Sequence, residues 1–94
     1  MSENEARRLL AQNLRILRMM RGWSQEILGN AAGLNRSYVG ALERTSRSAS
    51  VDAMGRIADA FGVSVSELLR DPDPTELGLE LLRAIAREIE EGRE

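Results

Sequence analysis

The apolar residues of the chain repeat with helical spacing from the start. Leu10, Leu14 and Leu17 form one stripe, and Leu9, Ile16 and Met20 widen it. The pattern predicts a helix over 3–21, opened by a Ser2/Glu5 capping box and ended by Gly22, with Met19 and Met20 filling gaps. A shorter pattern follows. Ser24 is a good N-cap, and Trp23 before it is placed to close over Leu28 as a hydrophobic staple. Ile27, Leu28 and Ala31 read as the inward face of this second helix, and Gly33 as its left-handed end. Leu34, Asn35 and Val39 repeat the staple and cap for a third helix. Val39 and Leu42 face inward there, leaving Arg36, Ser37, Gly40 and Arg44 outside.

Ser50 caps a fourth helix over 51–61, with Val51, Met54, Ile57, Ala58 and Phe61 inward and Gly62 at its end. A Ser64/Glu67 capping box opens a short fifth helix through Val65, Leu68 and Leu69. Asp71-Pro72-Asp73-Pro74 then breaks the chain, because each proline pushes the residue before it out of the helical region. Asp73 reads as the next N-cap, Pro74 as the first helical residue and Glu76 as the capping-box partner. The sixth helix runs from Pro74 to about Glu91. Leu77, Leu81, Ile85 and Ile89 recur every four residues, broadened by Leu82, Ala84 and Ala86.

The expected fold is therefore all-α, with a five-helix helix-turn-helix domain over 1–70. A proline-punctuated linker and an additional C-terminal amphipathic helix occupy 71–94. The core closes without the sixth helix, so its stripe either folds back or pairs with a second copy. Pairing is favoured, since an exposed contiguous patch invites aggregation. Leu77, Leu81, Ile85 and Ile89 are the dimerisation residues on this reading.

Composition narrows the chemistry. The 94 residues hold no cysteine, histidine or lysine, and all thirteen basic residues are arginine. That removes thiolate and imidazole metal ligands, histidine bases, and lysine and cysteine nucleophiles. No enzymatic role, metal or cofactor is expected, and the close pair Asp71 and Asp73 lacks the rest of a calcium loop. The net charge of −2 hides an asymmetry: residues 1–50 carry eight arginines against four acids, and residues 51–94 five against eleven. A basic half and an acidic half suit a protein that turns one face to a polyanion. The polar start MSENEARR does not read as a signal peptide, no apolar run is long enough for a membrane, and a cytoplasmic location is expected.

Two short helices around a glycine turn, with a small polar tip on the second, are the parts of a helix-turn-helix DNA reader. From Leu17 to Leu69 the chain resembles the phage repressor and Cro family, also called the XRE family. The resemblance is carried by Leu17-Arg18, Gly22-Trp23-Ser24-Gln25, Leu28, Ala32-Gly33-Leu34, Arg36-Ser37-Tyr38, Leu42-Glu43-Arg44, Arg47, Ala58 and Phe61-Gly62-Val63-Ser64. Arg-Ser-Tyr followed by Leu-Glu-Arg is similar, within that family, to the small controller proteins of restriction-modification systems. The resemblance implies a salt bridge between Arg18 and Glu43, and a phosphate contact at Gln25. It implies a repressor-like fold, a prokaryotic or phage setting and, for the controller subclass, binding at a restriction-modification promoter. Departures from the pattern are Gly29, where alanine is usual, and Thr45 and Ser48-Ala49, where a glycine and an Asn-Pro are common.

The expected interface with double-stranded DNA places the helix from Arg36 to Arg44 in the major groove. Arg36 is the candidate base reader, because its planar fork matches guanine O6 and N7. Ser37 reaches a base or a phosphate. Tyr38 packs on a thymine methyl, bonds a phosphate or belongs to the core. Asn35 caps the helix, and Gly40 lets the backbone approach the groove. Arg44 and Arg47 contact the DNA backbone, Arg47 being also a candidate second base reader. One such domain reads few bases, so a homodimer on a near-palindromic operator is expected. No signature of a small-molecule effector is present. The alternatives are an antitoxin-type repressor whose sixth helix holds a partner protein, and an interaction adaptor without DNA binding.

Overall fold

The computed structural model describes residues 1–72 and 74–91, except for the side chains of 74–77, 79–81 and 84. Six helices follow in order: α1 Glu3–Met20, α2 Gln25–Ala32, α3 Arg36–Glu43, α4 Val51–Phe61, α5 Val65–Leu68 and α6 Pro74–Glu91. There is no strand among the described residues. Leu10, Leu14, Leu28, Val39, Leu42, Ile57, Phe61 and Leu68 build the core, so helices α1 to α5 each contribute to it. No described helix is long and apolar enough to cross a membrane.

The caps explain where the helices start. The hydroxyls of Ser2, Ser24 and Ser50 accept from the amides of Glu5, Ile27 and Ala53 at 3.0–3.1 Å, and Asn35 Oδ1 accepts from Ser37 N at 2.7 Å. Each bond satisfies an amide that the first turn leaves without a helical partner. The stops share one device. After α1, α2, α3 and α4, the amide of a residue of positive φ and the amide that follows it bond back into the last turn. That residue is Gly22, Gly33 and Gly62 in three cases, and Thr45, with φ of 59°, after α3.

The α2–α3 turn is tight. Leu34 N bonds Gly29 O at 2.7 Å, and a Cβ at Gly29 would lie 2.7 Å from Leu34 O. Backbone fills the space that an alanine methyl would need.

Several faces differ from the expectation. In α2, Leu28, Gly29 and Ala32 are buried, while Ile27 and Ala31 are exposed. The inward face is rotated by about one residue, since eight residues make only two turns and Gly29 must sit at the crossing. In α4, Val51 is 75% exposed and Ala53 is buried, because the first residue precedes the contact with the core. Ser64 makes no capping bond and pairs with the Ser66 hydroxyl at 2.9 Å instead. Gly40 is buried rather than outside.

Asn13, a polar residue in the α1 stripe and outside the expected apolar core, is buried and donates to Leu68 O and Arg70 O, both at 2.8 Å. It satisfies carbonyls freed at the end of α5, next to the proline linker. From there α6 packs along α1, and the Arg87 guanidinium donates to Met20 O. Leu82, Ile85 and Ile89 remain 63%, 49% and 56% exposed. Leu77 and Leu81, expected at a dimer contact, and Asp73 and Glu76, expected as a capping pair, lie outside the described side chains.

Candidate nucleic-acid interface

The site is built around the rear of α3. Glu43, at its last turn, is buried and takes a two-pronged contact from Arg18 of α1, Nε to Oε2 at 2.8 Å and Nη2 to Oε1 at 2.9 Å. Arg18 Nη1 also donates to Trp23 O at 2.9 Å, and Gln25 Nε2 donates to Glu43 Oε1 at 3.3 Å. The Arg18 side chain keeps 19% exposure and that of Glu43 only 4%. One carboxylate thus ties the end of α1, the start of α2 and the end of α3 together. The fork-on-carboxylate geometry fixes orientation as well as distance.

Behind it, Trp23 stacks on Phe61 with ring centroids 5.4 Å apart. The Arg21 guanidinium lies 5.7 Å and 5.0 Å from those two rings and donates to Phe61 O. This layer joins the start of α2 to the end of α4.

Gly40 clears the space beside Gln25. A Cβ there would come within 3.0 Å of Arg44 Nη1 and 3.4 Å of Gln25 Oε1. Arg44 therefore folds back over α3, and its guanidinium and the Gln25 amide converge on one spot. The structure brings these two predicted residues together, although they stand at opposite ends of the motif in sequence.

The tip of α3 is arranged differently. Arg36 and Ser37 are exposed, and Asn35 is engaged as the cap. Tyr38 is half-buried, its ring packs against the core and its hydroxyl accepts from Ser50 N at 3.3 Å. Arg47, from the loop after α3, lies over the Tyr38 ring at 5.2 Å. Tyr38 and Arg47 thus form one stacked unit between α3 and α4. Sequence spacing gave no signal for this stack. Among the described residues no cluster of acids that could hold a metal ion is present.

A short helix with an exposed tip, held at its rear by a buried ionic anchor and with arginines at both its ends, fits a helix-turn-helix protein of the DNA-binding type. The helix-turn-helix domain model matches residues 9–70, and the chain belongs to that family. It is 40% identical over 70 residues to a hypothetical transcription factor of Neisseria meningitidis, covering 74% of this chain and 66% of that protein. The chain therefore spans about two thirds of that relative's length. It is also 35% identical over 65 residues to the control protein C.SmaI of Serratia marcescens, covering 69% of this chain and 77% of that one. Among solved structures, the restriction-modification controller protein C.AhdI of Aeromonas hydrophila superposes with a TM-score of 0.64 at 40% identity, over 66% of this chain and 94% of that one. The chain is thus a helix-turn-helix regulator similar to transcription factors and controller proteins.

Proposed function

We propose that this regulator acts as a homodimer, binds a near-palindromic operator sequence-specifically, and is of the restriction-modification controller type. The observation that carries the proposal is the contrast along α3: an ionic anchor at Glu43, and exposed Arg36 and Ser37 at the opposite end. Arg36 reads base edges. Gln25 and Arg44, converging beside Gly40, hold one phosphate, and Arg47 on Tyr38 holds a second or reaches the neighbouring groove. Likeness to C.SmaI and C.AhdI supports the controller subclass. Dimerisation uses the α6 stripe, of which Ile85 and Ile89 are exposed along with Leu82.

Selection from random duplexes at about 150 mM salt, where non-specific binding is suppressed, tests this directly. The expected product is a palindrome with two half-sites, and Ile85→Glu with Ile89→Glu converts the protein to a monomer by light scattering. Absence of any enriched sequence rejects the operator reader. It then transfers the function to a protein partner, as in an interaction adaptor without DNA binding, and makes α6 the place to search.

A further inference from the structure

Residues ahead of the helix-turn-helix carry cations that none of the roles above employs. Arg7 and Arg8, on the first two turns of α1, face the turn that ends α3. Together with Ser2, Asn4, Glu5 and Thr45 they line an open recess. Arg7 Nε donates to Ser48 Oγ at 2.9 Å, which ties α1 to the loop after α3, one residue beyond Arg47, and leaves two terminal nitrogens as donors. Arg8 is exposed. Thr45 closes the recess one residue beyond Arg44, so the recess continues the line of cations along the end of α3.

We propose that this recess is a further contact for the DNA backbone: Arg8, with Arg7 beside it, holds a phosphate outside those held by the helix-turn-helix. It rests on the DNA-binding reading above. An open recess with one carboxylate, Glu5, in its wall is a poor trap for a free anion. A phosphate of DNA already bound through α3 is presented at high effective concentration, and needs only a modest local attraction. Glu5 opposes that attraction and sets its size.

The test uses the full chain and duplexes of the sequence it selects, with a scrambled duplex beside them. Arg8→Ala is expected to keep the wild-type melting temperature, since Arg8 is exposed. The slope of log affinity against log salt is expected to fall by about 0.9 per protomer. Between 50 and 200 mM salt, the wild-type protein then weakens about 3.5-fold more per protomer than the variant. Glu5→Gln is expected to shift affinity the other way. Replacing phosphates one at a time by neutral methylphosphonates is expected to reveal one position per half-site that weakens the wild type and not Arg8→Ala. An unchanged salt slope, or a methylphosphonate profile identical in both proteins, overturns the proposal. Failure of the wild type to prefer its duplex over the scrambled one, with the slope change intact, rejects operator reading and leaves the recess as a general DNA contact. No DNA binding at all overturns both.

Discussion

The two ends of α3 are built on opposite principles. At its rear, Glu43 is buried beneath Arg18 and Gln25, Gly40 is buried, and the turn is closed by backbone bonds. At its tip, Arg36 and Ser37 stand in solvent on a capped first turn. The rear removes freedom from the helix, whereas the tip keeps its side chains available for a partner. A reading helix needs both, because a displacement of the rear moves every side chain at the tip. The contrast makes a clear expectation: substitutions at the rear register in stability, and substitutions at the tip register in recognition.

The largest stability effect is expected at the anchor. Glu43→Ala strands the Arg18 guanidinium in a mostly buried site, with only Trp23 O left as partner. Breaking such a pair costs about 3–5 kcal/mol. The melting temperature should fall by well over 10 °C, since about 1 kcal/mol moves a domain of this size by about 4–8 °C. A melting temperature within a few degrees of the parent breaks the contrast at its stronger end.

A smaller loss is expected where α2 meets the turn. Alanine favours a helix over glycine by up to about 1 kcal/mol, so propensity alone predicts that Gly29→Ala stabilises. The structure predicts the reverse, because the new Cβ meets the Leu34 carbonyl at 2.7 Å and backbone cannot swing aside like a side chain. Overpacking of this kind costs about 1–3 kcal/mol. Denaturant unfolding of the two proteins decides the sign.

The turn after α3 offers a gain. Thr45 holds a φ of 59°, a region that a β-branched residue occupies only at a cost. Thr45→Gly removes that strain and is expected to add about 1 kcal/mol of stability by urea unfolding. A loss instead means that the Thr45 hydroxyl, bonded to Arg44 O at 2.6 Å, outweighs the backbone strain.

Helix order, the caps at Ser2, Ser24, Asn35 and Ser50 and the stops at Gly22, Gly33 and Gly62 were legible in the sequence because each rests on local chemistry, whereas Ser64 makes no capping bond and α3 stops at Thr45. Faces of the short helices were not. An eight-residue helix shows too few repeats to separate Ile27 from Ala32, and the crossing at Gly29 decides the matter from outside the segment. Asn13 did leave a signal. It occupies a place in the stripe of Leu10, Leu14 and Leu17, where a polar residue implies a buried partner, here the end of α5. Of the interface, the exposed tip could be read from spacing. The Arg18–Glu43 pair spans 25 positions and came only from family resemblance. The stack of Arg47 on Tyr38 and the approach of Arg44 to Gln25 depend on tertiary crossing, which no local pattern encodes.

The smallest effect on stability is expected at the tip, and it is the sharpest test of the contrast. Arg36→Ala removes an exposed side chain from the first turn of α3 and should change stability by less than about 0.5 kcal/mol. If Arg36 reads guanine, the same change removes about 1–3 kcal/mol of discrimination between the selected duplex and a scrambled one. Equal weakening on both duplexes makes Arg36 a phosphate contact and moves base reading to Ser37 or Arg47. A fall in melting temperature comparable to that of Glu43→Ala means that the tip, too, is part of the anchor, and removes the division of labour along the helix.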